Sequence, residues 1–335
     1  MNKIFLMIVF LSSITYGFSQ KIHSPAELIK IMNDSKISYQ IKVLDKPIEC
    51  KDYSDKLNYH DYYRVSKDSG FITYKYNPNN EAKQLFDLAE KEFQSQNIDN
   101  ALIDYKLALK ADSSLSKIMT YIGQIYSTKG DYDNAIKWYK MAISRNYIDY
   151  MAHWFLADLY SDIKDVKDAV DEIVIAQILN RNNQRIKKSW INILEKAKRN
   201  SEDWCFNPQM EVSKISDNKI SVSITNKWTG YAIAKALWTY DPGYRELMGA
   251  SEGHHSTLED RECLISLLAG LENAKINIKK DAQLRILKKA LENKHLDEYI
   301  LYEIILPDTP FVAFQLPEKT ILDIKDYILT VRNTK

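Results

Sequence analysis

Alanines recur along this chain at a fixed step. Ala101, Ala135 and Ala169 are each 34 residues apart, and Ala108, Ala142 and Ala176 keep the same spacing. A constant period of this length constrains the fold more than composition does, because a repeated supersecondary unit must stack on copies of itself to bury its apolar face. Three rows share the frame: Leu85 to Leu109, Met119 to Ile143 and His153 to Gln177. Within each row, apolar and small residues fall at helical spacing on both sides of a short polar turn, as in "KGDYDNAIKWYKMAI" from Lys129 to Ile143. Gly and Ala sit where two helices cross closely, and bulky residues fill the neighbouring holes.

The first half of each row reads Leu88-Ala89-Phe93, Ile122-Gly123-Tyr126 and Leu156-Ala157-Tyr160; the second reads Ala101-Tyr105-Ala108, Ala135-Tyr139-Ala142 and Ala169-Ile173-Ala176. This pattern resembles the tetratricopeptide repeat family over about residues 82–183. No Pro closes the repeats and Phe93 stands one place late, which blurs boundaries without changing the resemblance. The fold class expected is mainly α: three helical hairpins plus a capping helix, flanked by a small N-terminal α+β segment and a C-terminal α+β domain.

The N-terminus, "MNKIFLMIVFLSSITYGFSQK", has one Lys, a short apolar run and small residues before Gln20. It reads as a signal peptide over residues 1–19, since the run is too short to span a bilayer. The expectation is a periplasmic or secreted protein, processed near Ser19 and Gln20, with no transmembrane segment in the mature chain. Signal and repeats together resemble exported repeat proteins of Bacteroidetes-type bacteria. A net charge of +1 argues against a polyanion binder, so no nucleic-acid partner is expected. Three Cys leave at least one unpaired. Cys205 and Cys263 are a candidate pair with Cys50 alone; the plainer alternative is three buried free thiols.

Residues 21–80 read as a small α+β cap. Ser24, Pro25 and Glu27 open a helix as a capping box, and Ile37 to Leu44 and Gly70 to Asn77 alternate like strands. After the repeats, Ile186, Trp190, Ile193, Leu194 and Ala197 share one face of a basic helix that would close an array spanning 81–200. Residues 201–335 read as a separate α+β domain of unknown function, with a hairpin about Asp217-Asn218 and several helices after it.

No zinc-protease motif, phosphate loop, dinucleotide fingerprint or paired C-x-x-C stands in the chain. The expectation is therefore a non-enzyme without a cofactor. One stretch, Gly249 to Cys263, gathers Glu252, His254, His255, Glu259, Asp260 and Cys263. Of these, His254, His255 and Glu259 are the metal-ligand candidates for a metal-assisted hydrolase, the enzymatic alternative. The plainer reading is a capping box made by Ser256 and Glu259.

The family resemblance implies a concave groove lined by the first helix of each hairpin. Carried over place by place, it implicates Lys83, Phe86, Glu90, Phe93 and Gln94; Lys117, Thr120, Gln124, Ser127 and Thr128; and Met151, Trp154, Asp158, Ser161 and Asp162. Where some family members clamp a terminal carboxylate with Lys, Asn and Arg, this chain has Phe86, Glu90, Tyr121 and Phe155, so acidic tails are not the expected ligand. The reading that follows is a scaffold whose partner is a protein or peptide with apolar anchors and basic character. A structural subunit of an envelope or secretion assembly is the remaining alternative.

Overall fold

The computed structural model describes residues 22–58, 62–67, 70–250 and 256–334. The signal-peptide reading, and His254 and His255 with it, lie outside the described residues. In chain order, α1 (Pro25–Asp34) and β1 (Ser38–Val43) precede a hairpin of β2 (Tyr62–Lys67) and β3 (Gly70–Lys75). Seven helices follow: α2 (Asn80–Gln94), α3 (Ile98–Ala111), α4 (Lys117–Thr128), α5 (Tyr132–Arg145), α6 (Tyr150–Asp162), α7 (Val166–Leu179) and α8 (Gln184–Lys196). A second hairpin, β4 (Met210–Ser216) and β5 (Lys219–Ile224), leads to α9 (Thr229–Tyr240), α10 (Tyr244–Leu247) and α11 (Thr257–Asn273). The chain ends in α12 (Ala282–Glu292), α13 (Leu296–Tyr299), α14 (Leu306–Asp308) and α15 (Glu318–Tyr327), with π-helical turns over Ile300–Ile305 and Ile328–Arg332.

These elements divide into two compact units, placed differently from the sequence boundaries: residues up to Asp45 with Met210–Lys275, and Lys46–Gln209 with Ile276–Lys335. The two halves of the expected cap thus fall in different units, and so do the two halves of the expected C-terminal domain. The reason is long-range pairing that a local pattern does not encode. In the smaller unit β1 lies parallel to β5, Ser38 opposite Lys219 and Val43 opposite Ile224, in a sheet of order β1-β5-β4. A parallel pair needs a long crossover connection, and here the chain between the partners contains the whole repeat array. Helices α9 and α11 of this unit cross so closely that a Cβ on Gly230 would stand 2.1 Å from the Ser266 carbonyl oxygen.

The larger unit contains the helical hairpins α2–α3, α4–α5 and α6–α7, which recur at the expected period as a helical array. Ala101, Tyr105, Ala108, Ala135, Tyr139 and Ala142 are all buried. A Cβ on Gly123 would lie 2.7 Å from the Tyr139 ring, which is the close crossing the small residue permits. Leu88 is exposed while its counterparts Ile122 and Leu156 are fully buried, because the first repeat has no repeat before it. Phe93 and Trp138 both pack against the core shared by the first two repeats.

The turn inside each hairpin repeats in backbone geometry as well. Gln96 (φ 64°), Gly130 (φ 75°), Lys164 (φ 66°) and Lys198 (φ 55°) are left-handed and 34 residues apart. Each is followed by a backbone N–H that reaches back to the helix before it: Asn97 to Glu92, Asp131 to Tyr126, Asp165 to Tyr160, Arg199 to Leu194. This is a Schellman-type stop. The period therefore extends through α8, after which the chain runs on to β4 without a second helix.

Helix α8 does not close the array with a bare polar side. Trp190 is buried, the Arg199 guanidinium donates to the carbonyls of Leu329 and Asn333 at 2.8 and 2.9 Å, and α15 packs on α7. Several charges of the basic run around α8 are used internally: Lys187 pairs with Asp203, Arg181 with Glu303, and Lys196 donates to Ser161. The cysteines also pair differently from either expectation. Cys50 and Cys205 form a disulfide within the larger unit, and Cys263 is a buried free thiol. Sequence spacing could not choose among three partners.

Candidate binding groove

The first helices of the three hairpins, α2, α4 and α6, carry the residues implicated for binding. At one end, Phe86 is half-buried, with its ring 5.4 Å from Tyr121 and 5.8 Å from Tyr105. The rings of Tyr105 and Tyr121 stack at 5.6 Å. The Lys117 ammonium lies 4.9 Å over the Phe86 ring, and the Tyr105 hydroxyl donates to Glu90. Burial and this carboxylate both push the Tyr105 phenol upward, so it stays a donor at neutral pH. Phe86, Glu90 and Lys117 therefore form one aromatic and charged corner, while Lys83 is exposed beside it.

The middle is polar, and one residue implicated for it is buried. Gln124 is half-buried on α4, and Met151 is half-buried at the start of α6. Thr120 is not a groove residue: it is buried, and its hydroxyl donates to Asp149 Oδ2 at 2.7 Å. Asp149 is the N-cap of α6 and also accepts from the backbone N–H groups of Met151 and Ala152. The capping carboxylate of one repeat thus takes up the hydroxyl of the repeat before it.

At the other end Trp154 is half-buried, and its indole N–H donates to Ser189 Oγ at 2.9 Å; that hydroxyl donates to Asp158 Oδ2 at 3.3 Å. Burial pushes the Asp158 carboxyl up to about 6, and the neighbouring Asp162 charge adds to this, against the hydrogen bonds from Ser189 and Trp154 and the nearby Lys196. Asp162 is exposed. Ser161 is buried and accepts from the Lys196 ammonium at 2.7 Å. The end is therefore an aromatic ring with two acids and one lysine already engaged. Lys196 was missed because the family's places were applied to three helices, and Ser189 because it stands at none of those places. Continued by the same step into α8, the rule reaches Lys196 directly.

The stretch with metal-ligand candidates is organised otherwise. Ser256 caps α11, accepting from Leu258 N, but Glu259 does not complete a capping box. Its buried carboxylate accepts instead from Lys235 and from Arg245 at 2.9 Å. Glu262, fully buried, accepts from the His23 backbone N–H at 2.9 Å, the Trp238 indole at 2.6 Å and the Tyr244 hydroxyl at 2.9 Å, with His23 Nδ1 at 3.0 Å. Burial holds the Cys263 thiol well above its ordinary value, the opposite of an activated nucleophile. Among the described residues no group of three or more His, Cys, Asp or Glu could hold a metal. Away from these residues, the larger unit has a cavity of about 350 Å³ lined by Leu57, Asn58, Tyr62, Pro310 and Phe311, with Lys56 and Asp308.

No family model and no curated protein matches the chain. Among solved structures, the Yersinia enterocolitica type III secretion translocator chaperone SycD is similar at 20% identity, over 36% of this chain and 96% of that one, with a TM-score of 0.34. The first tetratricopeptide domain of Spaghetti, bound to an HSP90 peptide, is similar at 16% identity, over 36% and 99%, with a TM-score of 0.35. The pilF protein of Pseudomonas aeruginosa reaches over 70% of this chain and 97% of its own, at 12% identity and a TM-score of 0.33.

Proposed function

We propose that this chain is an exported, non-enzymatic scaffold that holds an extended peptide or surface segment of another protein along the first helices of its repeats. The ligand carries apolar anchors and basic residues. The observation that carries this reading is the end of the groove where Trp154, Ser189 and Asp158 are joined by hydrogen bonds beside exposed Asp162. A half-buried indole fixed by a hydrogen bond is a preorganised anchor site, and two carboxylates beside it select a cationic neighbour. Phe86 and Glu90 repeat the combination of ring and acid at the other end.

Export is supported by the apolar, lysine-led N-terminus and by the Cys50–Cys205 disulfide, a bond that persists in oxidising compartments. The non-enzymatic reading is supported by the internal pairing of Glu259 and Glu262 and by the buried thiol of Cys263.

The test is a titration of the purified protein with a library of extended peptides differing in charge and aromatic content. Cationic peptides with an apolar anchor are expected to bind, and Trp154→Ala or Asp158→Lys to weaken them by about 1–3 kcal/mol, the range of an interface anchor. Unchanged binding in both variants sinks the proposal. Stoichiometric zinc that is lost on His254→Ala would move the chain to the hydrolase class.

A further inference from the structure

The sheet of the smaller unit ends in an unfinished edge. Strand β1 is outermost in the order β1-β5-β4. The Ser38 N–H donates to Asn218 O at 2.9 Å and the Leu44 N–H to Ile224 O at 2.9 Å. Because N–H and C=O of one residue point to the same side and sides alternate along a strand, the even-numbered residues of β1 face β5. Tyr39, Ile41 and Val43 therefore turn both backbone groups outward from the sheet. The same three residues carry the apolar side chains of the strand, and Ile41 is 52% and Val43 79% exposed. On β5 their partners Val222 and Ile224 are buried, so an apolar sheet face runs out to this edge, and among the described residues no further strand continues it.

We infer that β1 pairs antiparallel with β1 of a second copy of this chain, with Ile41 on the two-fold axis. The register decides the occupant. Only odd-numbered residues offer outward backbone groups, and a pairing centred on Ile41 sets Ile41 against Ile41 and Tyr39 against Val43, so that each pair exchanges both N–H···O=C bonds. This centring also covers the most exposed side chain, Val43, with a tyrosine ring of the other copy. On the opposite face it sets Lys42 against Gln40, an amide that accepts from an ammonium, and keeps the two lysines apart; like charges directly opposite would be destabilising. The ladder stops after three pairs because the Ile37 N–H is already donated to Ser35 Oγ at 3.0 Å. The contact is isologous and closes, and the two three-stranded sheets become one of six strands.

The experiment uses the full mature chain. Sedimentation velocity at high micromolar concentration is expected to show a dimer that Val43→Glu converts to monomer; Val43 is exposed enough for the substitution to leave the fold intact, which circular dichroism checks. Ile41→Cys is expected to form an interchain disulfide under mild oxidation, since facing residues of a hydrogen-bonded pair stand about 5.5 Å apart, within disulfide reach. Lys42→Cys is expected to cross-link far more slowly. A monomeric wild type with no Ile41→Cys cross-link overturns the inference, as does a dimer indifferent to Val43→Glu or cross-linking preferentially through Lys42→Cys. A wild type that stays monomeric but accepts an extended strand of another protein on β1 overturns it too. None of these outcomes depends on the groove.

Discussion

Four backbone positions in the repeat turns adopt the left-handed region, and one of them is glycine. For an L-residue this conformation costs about 1–2 kcal/mol, whereas glycine adopts it freely at an entropic cost of about 0.5–1 kcal/mol. Gln96→Gly and Lys164→Gly are therefore expected each to raise stability by roughly 0.5–1 kcal/mol, and Gly130→Ala to lower it by a similar amount. Urea denaturation of the three variants against wild type measures this; a loss of stability in both glycine variants would mean that the side chains at 96 and 164 make contacts worth more than the strain. The same positions mark how far the sequence could be read. Gly130 announced its turn, but Gln96, Lys164 and Lys198 have nothing in their chemistry that does so. They become recognisable only as the residues one period from Gly130, in chain turns whose hydrogen bonds are alike.

At the level of elements, the repeat frame located Trp154, Asp158, Phe86 and Glu90 on the first helices, because helical periodicity fixes which face a residue occupies. It misjudged Thr120 because burial there is decided by Asp149, the cap of the following helix, a contact between repeats that no single-helix pattern contains. The groove end around Asp158 has a pH consequence. Its carboxyl titrates at about 6 when folded, above the roughly 3.9 of an exposed aspartate. The folded state thus holds a proton that the unfolded state has released between these values, so Asp158 contributes destabilisation that grows as pH rises through this window and is absent below it. For binding the sign is opposite, since only the ionised carboxylate attracts a cationic ligand. Affinity for a basic peptide is expected to fall as pH is lowered from 7 to 5, with Asp162 retaining a smaller charge effect, and Asp158→Asn is expected to flatten most of that slope. Titration calorimetry across this range checks it, and a slope equal in wild type and variant would remove Asp158 from the site.

Whole-molecule organisation was the least legible, since it rests on pairs far apart in the chain: β1 with β5, Cys50 with Cys205, α15 with α7. Hydrophobic periodicity finds elements but carries no information on which distant element covers them. In the larger unit the C-terminal helices are joined to the repeats through Arg332, which is buried, donates from Nε to Glu303 Oε1 at 2.7 Å and lies over the rings of Trp190 at 5.2 Å and Trp204 at 4.8 Å. Glu303, equally buried, also accepts from the Tyr327 hydroxyl at 3.1 Å and faces the Arg181 guanidinium at 3.4 Å. Removing Arg332 would leave the buried Glu303 carboxylate to the longer Arg181 contact, a loss approaching the about 3–5 kcal/mol of breaking a buried pair, while removing both costs less. Arg332→Met alone is thus expected to destabilise the larger unit severely, and adding Glu303→Gln to restore part of the loss. The readout is the thermal unfolding midpoint of the single and double variants. If the double variant is no more stable than the single one, the guanidinium acts through its packing against Trp190 and Trp204, and the ion pair is not what joins the C-terminal helices to the repeats.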